Sequence, residues 1–103
     1  SDYPGGVCWA SGRERQTGLD LLSFVRDYLE IIAPDTIEDE AARVQWCYRN
    51  WQEGDVLLVF DDVEDFDQVK RFFPSDRRFR VLLTSRLQFL PPVRSLPLDI
   101  LLP

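Results

Sequence analysis

The chain contains no histidine, and Cys8 and Cys47 are its only cysteines. Without imidazole or a second cysteine pair, a structural zinc site is excluded. Each cysteine lies among apolar residues, so the pair reads as two buried free thiols rather than a disulfide, in a reducing, cytoplasmic setting. Lysine occurs once, at Lys70, and a phosphate loop of the form G-x-x-x-x-G-K-[ST] is missing from the sequence. Gly5-Gly6 lacks that spacing and reads as a turn. Gly12-Arg13-Glu14 reads as a loop. No apolar run approaches the ~18 residues needed to cross a membrane, and no signal-peptide pattern is present. Bases are outnumbered, 12 against 18 acids, which argues against nucleic-acid binding as the main role.

What is present suits one α/β unit. At 103 residues with 45% hydrophobic content and three tryptophans, the chain can bury a core of its own. Both ends run into strand-like residues, so an internal piece of a longer domain is expected. Charge is segregated: residues 35–67 are strongly acidic and residues 70–94 strongly basic. Two readings stay open for the basic stretch, a solvated face and a rim that meets an anionic ligand.

Hydrophobic rhythm sets the elements. Val7 to Ala10 reads as a short strand. Thr17 opens a helix, with Asp20 in a capping-box-like position and Leu19, Leu22, Val25, Leu29 and Ile32 inward, stopped by Pro34. Asp35 or Thr36 caps a second helix whose face is Ile37, Ala41, Val44, Tyr48 and Trp51, ended by Gly54. Trp9, Trp46, Tyr48 and Trp51 read as core packing. Val56 to Phe60 reads as a strand buried on both faces. Asp65 caps a short helix with Phe66, Val69 and Phe73 inward, before Pro74. Phe79 to Thr84 is a further buried strand, and Ser95 to Ile100 a last short one. Strands that alternate with helices predict a parallel sheet with helices on its faces, a three-layer sandwich.

The site candidates follow from this arrangement. Asp61 and Asp62 come directly after the apolar strand, and charge cannot remain inside it, so both acids are expected at its carboxyl end. That rim is where open α/β sheets bind ligands. One carboxylate suffices for a hydrated magnesium ion on phosphates, and a second can orient the attacking water. Thr84, Ser85 and Arg86 end the neighbouring strand, where an arginine fork can meet a phosphate. Capping and surface pairing are the plainer roles for the same residues.

Taken together, Gly5-Gly6-Val7-Cys8-Trp9, Leu57-Leu58-Val59-Phe60-Asp61-Asp62-Val63, Arg80-Val81-Leu82-Leu83-Thr84-Ser85-Arg86 and Leu96-Pro97-Leu98 resemble the middle of an NB-ARC domain, the nucleotide-binding switch of the STAND class of P-loop NTPases. The resemblance spans nearly the whole chain. It implies that Asp61 is the Walker B acid acting through Mg2+, that Asp62 positions or activates water, and that Arg86, flanked by the hydroxyls of Thr84 and Ser85, reads the terminal phosphate of the nucleotide, ATP or ADP. It also implies that the phosphate-loop strand and helix are not in this chain. Residues 1–103 are then an NB-ARC fragment, part of an ATP-dependent signalling switch, that is not expected to bind or hydrolyse nucleotide alone. In that family's sheet the phosphate-loop strand lies between the sensor strand and the last strand. Without it, the open edge beside Phe79 to Thr84 is expected to be closed by self-association or by the chain's own Leu96 to Leu102 segment.

Two other readings compete. A phospho-receiver domain also places an acid pair after a strand, but it needs a further strand-end aspartate and a late lysine, which this chain lacks. A non-catalytic interaction module that keeps only the fold is the other.

Overall fold

The computed structural model describes residues 2–13, 15–85 and 98–101. Its element order is β1 (Gly6–Ser11), α1 (Thr17–Leu29), α2 (Glu40–Arg49), β2 (Val56–Asp61), α3 (Phe66–Lys70), β3 (Phe79–Thr84) and β4 (Leu98–Leu101). The four described strands form one sheet in the order β1-β2-β3-β4, every pair parallel. Parallel neighbours need crossovers, and α1 with α2, then α3, supply the first two. The chain is an α/β protein built on a small parallel sheet.

Strand alternation divides the sheet into two faces. Cys8, Ala10, Val56, Leu58, Phe60, Phe79, Val81 and Leu83 form one face and pack with Leu21, Val25, Val44, Tyr48, Phe66 and Val69 of the helices in a single core. Of the three layers expected, the described residues supply the sheet and this helical layer. The opposite face carries Val7, Trp9, Leu57, Val59 and Leu82. Val59 is buried there, whereas Val7 is 42% and Trp9 61% exposed. Trp9 is therefore not the core residue expected from its type. It stands exposed on that face at the edge strand β1.

The first helix departs from its expected rotation. Its buried stripe is Thr17, Gly18, Leu21 and Val25, while Leu19 is 53% and Ile32 68% exposed. Thr17 lies inside the helix, with Gln16 at the cap position and no side-chain cap. The Thr17 hydroxyl donates instead to the Ser11 carbonyl at 2.6 Å, and Asp20 accepts from the Ser11 N–H at 2.8 Å. These bonds tie the first turn to the end of β1 and fix which face turns inward. The helix stops at Leu29 because Glu30 takes a left-handed conformation, φ 57°, well before Pro34.

The second helix starts later than expected. Asp39, not Asp35 or Thr36, caps it by accepting from Ala42 N–H at 2.9 Å. The residues before it are held by Arg43, whose guanidinium donates to the carbonyls of Ala33, Pro34 and Ile37. Ile37 and Trp51 fall outside the helix, which ends at Arg49 ahead of Gly54. Trp51 is nonetheless buried and donates through Nε1 to the Gly5 carbonyl at 2.8 Å. The third helix forms as expected, capped by Asp65 with Phe66 and Val69 buried.

Both cysteines are free and buried. Burial, helped by the charge of Asp20, pushes the Cys8 thiol up to about 12, so it stays protonated and unreactive near neutral pH. Burial also raises the Cys47 thiol.

The strand β4 occupies the edge beside β3, pairing Val81 with Leu98 and Thr84 with Leu101. Part of the chain's own carboxyl-terminal segment thus closes the apolar edge beside Phe79 to Thr84. Residues 95–97 of the expected last strand lie outside the described residues. Among the described residues no helix is long and apolar enough to cross a membrane.

Candidate functional site

Because the sheet is parallel, β1, β2 and β3 deliver their carboxyl ends to one rim. Ser11 pairs with Asp61, and Thr84 follows the Phe60–Leu83 pair on the next strand. The Thr84 hydroxyl donates to Asp61 Oδ1 at 2.5 Å and accepts from the Asp62 N–H at 2.8 Å. The Val63 N–H donates to the Thr84 carbonyl at 2.8 Å, and the Ser85 hydroxyl donates to the Val63 carbonyl at 2.9 Å. Four hydrogen bonds thereby strap the turn after β2 to the end of β3. Within that turn Asp62 takes φ 63°, a left-handed conformation that aspartate tolerates better than most residues.

The loop after β1 closes the other side. The Gly12 N–H donates to the Asp61 carbonyl at 2.6 Å. A Cβ on Gly12 would fall 2.7 Å from Val63 Cα and 2.9 Å from its N, so only glycine allows this approach. The next residue, Arg13, places Nε 3.0 Å from Asp62 Oδ2. This hydrogen bond, with the charges of Asp62 and Glu64, raises the guanidinium pKa further above its ordinary value.

Together these residues border an open cavity of about 350 Å³, lined by Trp9, Ala10, Ser11, Arg13, Asp20, Asp61 and Asp62. Asp61 is exposed at its edge. Among the described residues no group of three or more Cys, Asp or Glu converges to hold a metal ion. That donor chemistry does not fit an all-protein calcium or zinc cage. Magnesium asks for no such cage, since it keeps several waters and takes one or two carboxylates beside phosphate ligands.

The structure brings Asp61, Asp62 and Thr84 together. Ser85 is buried, with its hydroxyl committed to the Val63 carbonyl, and so helps to shape the turn. Arg86 lies outside the described residues. Sequence reasoning passed over Arg13 by treating residues 12–14 as loop only. The available signal was its position directly after β1, which in a parallel sheet means the same rim as Asp61.

A comparison with known proteins finds one partial similarity of note. The chain is 43% identical over 51 residues to the Arabidopsis thaliana protein named "Probable disease resistance RPP8-like protein 4". The matched stretch is 47% of this chain and 6% of that protein. No family model matches the chain, and no solved structure matches it.

Proposed function

We propose that this chain is the acid-bearing part of a nucleotide-dependent signalling switch of the NB-ARC type, acting in the cytoplasm. In this reading Asp61 holds Mg2+ on ATP or ADP. Asp62 orients the attacking water. Thr84 bonds the Asp61 carboxylate and the Asp62 backbone N–H, Ser85 shapes the turn that carries Asp62, and Arg86 is the residue assigned to read the terminal phosphate. The observation that carries the reading is the hydrogen bonding of Asp61 and Asp62 to Thr84 across two adjacent parallel strands at one rim. The partial likeness to a disease-resistance protein supports it. Magnesium, when bound, supplies positive charge that offsets the charge of the phosphates.

The chain has no G-x-x-x-x-G-K-[ST] loop, so the backbone cradle and lysine for the phosphates must come from elsewhere in the parent protein. The isolated chain is accordingly not a nucleotide-binding unit. The first test is the sequence that precedes Ser1 in the parent gene, where such a loop after an apolar strand is expected. The second is Asp61→Asn in the parent protein. Loss of a carboxylate ligand should weaken magnesium-dependent nucleotide retention by about 10–100-fold or more. Asp62→Asn should spare retention and slow hydrolysis by about 10²-fold or more. Unchanged retention in the Asp61→Asn protein would sink the reading.

One observation favours a second reading, a non-catalytic interaction module. Val7 and Trp9 stand exposed side by side on edge strand β1, as a docking surface would require. That reading takes over if no phosphate loop precedes the chain and neither aspartate substitution changes the parent protein's nucleotide behaviour.

A further inference from the structure

Among the described residues that line the rim cavity Arg13 is the one base, set against Asp20, Asp61 and Asp62. Its backbone is fixed. Its N–H donates to the Ser11 hydroxyl at 3.2 Å, and the preceding Gly12 is locked against Val63. Its side chain is 60% exposed, against 24% for its partner Asp62. An ion pair this open to water is weak and readily exchanged, and the planar guanidinium fork suits phosphate oxygens as well as it suits a carboxylate.

We propose that Arg13 is a partner-exchanging residue of this rim. It holds Asp62 until a magnesium–phosphate ligand arrives, then releases that carboxylate and turns to the phosphoryl oxygens. The inference rests on the magnesium reading of Asp61 and Asp62 and adds a residue to it. Both halves of the ligand act on the same contact. The cation draws the Asp62 carboxylate away from Arg13, and the anion draws Arg13 away from Asp62. The ion pair is broken once for both, so metal and phosphate favour each other's binding. In the absence of ligand Asp62 is engaged, which keeps the water-orienting group occupied until there is a phosphate to attack.

The test is a titration of the parent protein, which supplies the rest of the site, with Mg2+, then with magnesium pyrophosphate, followed by NMR at the Arg13 side-chain Nε–H and the Asp61 backbone amide. Mildly acidic pH keeps the Nε–H in slow exchange with water. The expected result is that the Nε–H signal leaves its paired position with the same midpoint as the Asp61 amide, then moves further with the pyrophosphate complex. In Asp62→Asn the Nε–H should already sit at the released position and should not respond to Mg2+ alone. If Asp61 responds while Arg13 stays, the exchange is overturned and the magnesium reading stands. If Arg13 responds to Mg2+ but no further to the pyrophosphate complex, the phosphate half is overturned. If neither residue responds even at high millimolar Mg2+, both the exchange and the magnesium reading fail.

Discussion

Phe79→Ala is expected to destabilise the protein by about 3–5 kcal/mol, the range for an aromatic ring removed from a packed core. Phe79 is fully buried at the start of β3. Its ring lies 5.1 Å from Tyr48 and meets Trp51 edge-on at 5.4 Å. The Arg78 guanidinium sits 4.7 Å over its centroid, and Arg78 also donates to the carbonyls of Trp51, Gln52 and Gly54. The ring thus joins the helical layer to the sheet where the loop before β2 is tied down. Against a typical total stability of about 5–15 kcal/mol, such a loss removes a large share of what holds the chain folded. Denaturant unfolding gives the number, and a loss below about 1 kcal/mol would show that the cluster relaxes around the gap.

Gly12→Ala is expected to act on the site more than on the core. The added methyl meets Val63 Cγ2 at 2.6 Å and also the Val63 backbone, Cα at 2.7 Å and N at 2.9 Å, so a side-chain adjustment does not relieve it and the turn holding Asp62 must move. Overpacking of this kind costs about 1–3 kcal/mol. The displaced turn should also lose the Gly12–Asp61 hydrogen bond and the Arg13–Asp62 pair. Backbone amide shifts from residues 11–13 and 61–63, with those of α2 and α3 unchanged, would be the signature. Unaltered shifts at Asp61 and Asp62 would mean that the rim is less rigid than its hydrogen bonds imply.

Which parts of this fold were legible in the sequence depends on the range of the forces involved. The apolar runs at Val56 and Phe79 announce strands because burial acts on each residue directly, and the acids after Phe60 had to emerge at a rim. Helix α1 was legible as a helix but not in its rotation. Leu21 and Leu22 are adjacent, and counting apolar residues favours either stripe. The choice is made by Thr17 and Asp20 bonding to Ser11, polar contacts that periodicity does not register. The start of α2 was misplaced for a related reason. Asp35, Thr36 and Asp39 are all good caps, and Arg43 decides among them by holding the carbonyls of residues 33, 34 and 37 from within the helix. At the site, the acid pair and Thr84 could be read from strand ends, whereas for Arg13 the position just after β1 gave the rim but not the partner. Its partner is distant in sequence, and only strand order makes the two neighbours.

Trp9 gives the rim an optical reporter of its own. It is 61% exposed and borders the cavity, while Trp51 is 5% exposed inside the core. Emission from Trp9 should lie to the red and be open to collisional quenchers, and that of Trp51 to the blue and shielded. With the half-buried Trp46 replaced by Phe, light from one end of the spectrum reports on the site, and light from the other on whether the chain is folded.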